Sequence, residues 1–120
     1  MSTPTVNDVI LMLAQLGRQL DAKQEEIARL DEAAVRAKAR HEVSFARAFI
    51  ASTGAEQLRK QTAILDTEAA KLDAEIADQV LRAARESIRV LRDRLDIGRS
   101  LTSAIRSEWS AQGAAQGMAA

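Results

Sequence analysis

Residues 6–41 read VNDVILMLAQLGRQLDAKQEEIARLDEAAVRAKARH, and the spacing of their apolar and small residues decides the fold. Val6, Val9, Leu13, Leu16, Leu20, Lys23, Ile27, Leu30, Ala34, Ala37 and His41 recur in alternating steps of three and four. Such steps return to one side of an α-helix at every turn and draw an a/d seam along it. Thr5 and Asp8, three apart, predict a capping box at its start, with Pro4 upstream where a missing N–H costs little. Glu25 with Arg29 and Glu32 with Arg36 are oriented to support the exposed face. Phe45 and Phe49 carry the apolar stripe to its end.

Around this helix the composition is uniform. Of 120 residues, 47% are hydrophobic and 28% charged, with 2% aromatic, one Pro and no Cys. That profile excludes collagen-like, proline-rich and disulfide-stapled classes and leaves an all-α chain of one small domain. Lys plus Arg and Asp plus Glu are 17 each, so net charge gives no general attraction to nucleic acid or anionic membrane. The apolar run Val9–Ala14 is too short to span a bilayer and has no basic segment before it. The expectation is a cytoplasmic protein with no membrane partner.

Ser52-Thr53-Gly54 interrupts the pattern, and Thr53 with Glu56 predicts a second capping box. A turn this short makes antiparallel neighbours of two long helices, a helical hairpin over residues 1–109. The helices are expected at about 5–52 and 55–109, the turn at 53–54 and a disordered tail at 110–120. The expected seam of the second helix runs Leu58, Leu65, Leu72, Ile76, Val80, Ala84, Ile88, Leu91, Leu95, Gly98, Thr102, Ile105 and Trp109. Its mean step, nearer 3.6 than 3.5, predicts a fairly straight pair. A second row, Ala83, Val90, Ile97 and Ala104, widens the apolar arc beyond what one partner helix covers. A homo-oligomer follows, most simply a dimer forming a four-helix bundle, with Val90, Leu91, Ile97, Leu101, Ile105 and Trp109 at the interface. Pairing about residue 54 leaves Trp109 beyond the start of the first helix. Gly17 and Gly98, inside the helices, are read as notches for bulky neighbours, with a hinge as the alternative.

No catalytic set is available: there is no phosphate loop, no HExxH and no cysteine cluster. His41, the single imidazole, is read as a structural seam residue. Asp66, Glu68, Asp73, Glu75 and Asp78 are read as a solvated acidic face, because a hard cation needs oxygens from several directions. No enzyme, cofactor or metal is expected. Arg82, Arg85, Arg89, Arg92, Arg99 and Arg106 form a ridge whose planar guanidiniums suit carboxylate or phosphate. One reading pairs the ridge with Asp8, Asp21, Glu25 and Glu26 of the first helix; the other sets it on a nucleic-acid backbone. Single-strand binding would lack the aromatics on which bases stack.

Three stretches carry a resemblance: Arg36–Ile50 (RAKARHEVSFARAFI), Ser52–Gln61 (STGAEQLRKQ) and Leu91–Trp109 (LRDRLDIGRSLTSAIRSEW). Together they resemble small uncharacterised helical proteins of tailed bacteriophages and prophages, particularly of actinobacteria, which neighbour recombination and replication genes. The resemblance implies an accessory role around single-stranded DNA or its enzymes and brings no catalytic residues. Three functions are therefore expected in turn: an oligomeric helical module binding a protein partner, a single-stranded nucleic-acid-binding accessory using the arginine ridge, and a virion structural or assembly protein.

Overall fold

The computed structural model describes residues 4–119, and the side chains of residues 4–114. The described backbone is helical apart from the ends and the turns: α1 spans Val6–Ala51, α2 Glu56–Asp66 and α3 Glu68–Ala119. Two compact units are distinguished, Glu25–Glu86 and Met1–Gln24 with Ser87–Ala120, and each is described by itself.

α1 begins as its sequence dictates. The Thr5 N–H donates to Asp8 Oδ2 at 3.0 Å and the Asp8 N–H to Thr5 Oγ1 at 3.1 Å, so two otherwise orphaned donors are satisfied. The Thr5 bonds hold the Asp8 carboxyl below the usual aspartate range. Every member of the row Val6 to His41 is buried or half-buried. On the exposed face Arg36 Nη2 reaches Glu32 Oε1 at 2.8 Å, a pair worth a few tenths of a kcal/mol.

The turn differs from its expected form. Gly54 takes φ +104°, and Ala55, extended at φ −64° and ψ 151°, becomes the N-cap of α2 with no side-chain bond. Those two residues move Thr53 out of capping position, so the Thr53–Glu56 box does not form. The carbonyl end of α1 is closed from the far side of the turn instead. Arg59 Nη2 donates to the Phe49 carbonyl at 3.1 Å, and its guanidinium lies 4.5 Å from the centre of the Phe49 ring. Ser52 Oγ also donates to the Ala48 carbonyl, at 2.6 Å.

The second helix is two elements rather than one. At Thr67 (φ −112°, ψ 14°) the helical backbone is interrupted between α2 and α3. The Thr67 hydroxyl donates to the Ala63 carbonyl at 2.7 Å, and the Thr67 N–H donates to the same oxygen at 3.2 Å. A buried threonine sharing its i−4 carbonyl in this way bends a helix. α3 then continues past Trp109 to Ala119, where a disordered tail was expected. Alanines at 111, 114, 115 and 119 carry helix propensity without an apolar stripe.

The row that α2 and α3 turn inward is Ala63, Thr67, Ala70, Ala74, Ala77, Leu81, Ala84, Ile88, Leu91, Leu95, Gly98, Thr102 and Ile105, all buried or half-buried. Its steps alternate strictly between four and three, a mean of 3.5, which corrects the 3.6 expected from the larger side chains. From Ala84 to Ile105 the expected seam coincides with this row, and Trp109, its expected last member, is exposed instead. Before Ala84, Leu58, Leu65, Leu72, Ile76 and Val80 are exposed and alanines occupy the interior.

The two helical glycines differ. A Cβ on Gly98 would lie 2.5 Å from Leu13 Cδ2, so this glycine is a notch filled by α1. Gly17 has nothing within 4 Å of that position and is not one. Gly17→Ala is therefore expected to raise stability by about 1 kcal/mol, and Gly98→Val to lower it by about 1–3 kcal/mol through overpacking, both read from urea unfolding. Arg59→Ala, which opens the end of α1, should cost about 2 kcal/mol in the same assay. Because folding depresses the Asp8 pKa, its contribution is complete above the ordinary aspartate value of about 3.9 and disappears as pH falls through the lower folded value. Acid titration of helicity should lose that component in Asp8→Asn.

Candidate interaction surface

The side chains that sequence reading selected are nearly all on the surface, and what they form is a surface rather than a cleft. Arg82 pairs with Asp78 at 2.9 Å, Arg85 with Asp31 at 3.6 Å and Arg99 with Asp96 at 3.6 Å. Arg89 also has a partner within the chain. The Arg85 pair joins α3 to α1, and of the acids expected from the start of α1 Asp8 is engaged in its capping box. These three pairs are well exposed, so each contributes at most about 1 kcal/mol. The ridge is thus partly neutralised by its own neighbours and remains on the surface.

Asp66, Glu68, Asp73, Glu75 and Asp78 are all exposed. Among the described residues no group of three or more His, Cys, Asp or Glu could hold a metal ion. His41 is half-buried and lines a narrow cleft of about 160 Å³ with Phe45, Ile64, Thr67 and Lys71, where the Thr67 hydroxyl is engaged by the Ala63 carbonyl. A wider groove of about 520 Å³ in the same unit has Ala34, Val35, Ala74 and Leu81 along it and a rim of Asp31, Lys38, Lys71, Glu75, Asp78 and Arg85. Its rim charges are three acids and three bases, which gives no preference for a ligand of either sign.

Of the six expected interface residues, Val90, Ile97, Leu101 and Trp109 are exposed. Ile105 is half-buried, and Leu91 is only 8% exposed because it belongs to the inward row of α3. Leu91 therefore packs within the chain and offers no outward surface. Trp109, 69% exposed, does not project past the start of α1: it borders a groove of about 800 Å³ with Thr5, Val6, Asn7, Ile10, Arg106 and Ser110.

Sequence reading placed Leu58, Leu65, Leu72, Ile76 and Val80 inside. They instead make an outward apolar stripe in the unit Glu25–Glu86, with Leu65 71% and Leu72 55% exposed. Val90, Ile97 and Leu101 make the equivalent stripe in the other unit. Large apolar residues recurring along a helix surface mark a place where another surface docks. Among the described residues no helix is long and apolar enough to cross a membrane. No family model, no curated protein and no solved structure matches the chain.

Proposed function

We propose that this chain is a non-enzymatic interaction protein, a helical hairpin that assembles with a second copy into a four-helix coiled-coil bundle and then holds a protein partner. The observation that carries the reading is the inversion of side-chain size across α2 and α3. Alanines and a threonine fill the inward row from Ala63 to Ala77, while Leu58, Leu65, Leu72 and Ile76 face out. Fully burying a leucine is worth about 1.5–3 kcal/mol, and a single chain forgoes most of that gain at each of these positions. Two copies covering the stripes recover it.

Three pairings, each within one unit, support the hairpin: Arg59 with Phe49, Arg85 with Asp31, and Leu13 against Gly98. The strict 3-4 repeat of the inward rows supports the coiled coil. An accessory role in phage recombination or replication is the narrower reading, and it rests on the resemblance of residues 36–50, 52–61 and 91–109 alone.

Sedimentation velocity on the full chain tests the assembly. A dimer is expected at micromolar concentration, and Leu72→Asp with Ile97→Asp should shift it to monomer while helicity persists. A folded monomer for the unmodified chain rejects the reading. In the same preparation, single-stranded DNA at low salt should show no retention that depends on Arg85, Arg92 and Arg99; loss of retention on changing these three to Gln would move the assignment to nucleic-acid binding.

A further inference from the structure

The two outward stripes carry opposite charge, and this fixes how a second copy is seated. Residues 66–78, around Leu65, Leu72 and Ile76, hold five acids and Lys71, a net −4 (1 − 5). Residues 82–106, around Val90, Ile97 and Leu101, hold seven arginines against Glu86, Asp93 and Asp96, a net +4 (7 − 3). Each stripe is exposed within its own unit. A parallel pair of α3 helices would set acids on acids and arginines on arginines, and like charges in register oppose association.

We infer that the second copy docks antiparallel along α3, with the acid-flanked leucine stripe of one chain on the arginine-flanked stripe of the other. This deepens, and rests on, the self-association proposed above. Ile76, Ala83, Val90 and Ile97 fall at intervals of seven on α3, and Ala83 is exposed at the midpoint between Ile76 and Val90. A two-fold axis near Ala83 brings Ile76 of each copy towards Val90 of the other, so the same contact is made twice and the assembly closes as a dimer. The small side chain of Ala83 lets the backbones approach where they cross.

The chain contains no cysteine, so introduced thiols report the seating directly. Ile76→Cys and Val90→Cys are prepared separately, their helicity is checked by circular dichroism, and each is oxidised alone and as a mixture. The antiparallel dimer gives a linked species only in the mixture, joining position 76 to position 90, whereas Ala83→Cys links to itself. Self-linking of Ile76→Cys and of Val90→Cys would overturn the antiparallel seating in favour of a parallel one. No link in any sample, with a dimer still present by sedimentation, would show that another face is used and overturn the inference alone. A monomer by sedimentation would remove the proposed assembly as well. As an independent readout, Asp73→Arg with Glu75→Arg should raise the dimer Kd on the order of tenfold, and mixing that variant with Arg92→Glu plus Arg94→Glu should restore association. An unchanged Kd, or no restoration, counts against the seating.

Discussion

The phase of the inward row on α2 and α3 is the constraint from which the rest follows. Once Leu81, Ile88, Leu91 and Leu95 are inside, a helix with a 3.5-residue repeat has no freedom at the positions of α3 before them: Ala77, Ala74 and Ala70 must also be inside, whatever their size, and the buried Thr67 and Ala63 continue the same steps across the interruption. Leu58, Leu65 and Leu72 lie on a different row and are carried outward with it. Small residues at the contact let helix axes approach closely, and the loss is apolar area. This stretch is therefore held by backbone proximity, by the Thr67 hydroxyl on Ala63 and by Arg59 on Phe49, more than by bulky packing.

That balance explains why the surface carries the chemistry. The interior offers two satisfied threonine hydroxyls, Thr67 on Ala63 and Thr102 on Gly98, and a half-buried His41 beside Phe45. The exterior offers two apolar stripes of opposite charge on α2 and α3, the exposed ion pairs of Arg82, Arg85 and Arg99, and Trp109 beside Ile10.

Much of the fold was legible in the sequence, and the misses share one physical cause. In α1 most of the leucines lie on the row of the strict repeat, so the repeat locates the interior from Val6 to His41, with Ile10, Leu11, Met12 and Val35 exposed beside it. In the second helix size and phase disagree before Leu81, and following the leucines gave the wrong face. Counting back in threes and fours from Leu81 through Ala77 and Ala74 would have found it. The capping box at Thr5 was legible because cap and helix are contiguous; the one expected at Thr53 does not form, because Gly54 and the extended Ala55 shift where α2 starts. Arg59, ten residues from Phe49 in sequence, was missed since its role exists only after the chain turns. The candidate surface was half legible: the charge asymmetry and the row Val90–Ile97 were plain, whereas Leu65 and Leu72 had been assigned to the interior.

The most direct measurement of this inside–outside assignment is thiol labelling of Leu72→Cys and Ala63→Cys as a function of protein concentration. Ala63 is fully buried, so its thiol should resist labelling at every concentration, while the thiol at position 72 should react in dilute protein and become protected as copies associate. Protection of position 72 in the dilute chain, or equal reactivity at all concentrations, would contradict the account.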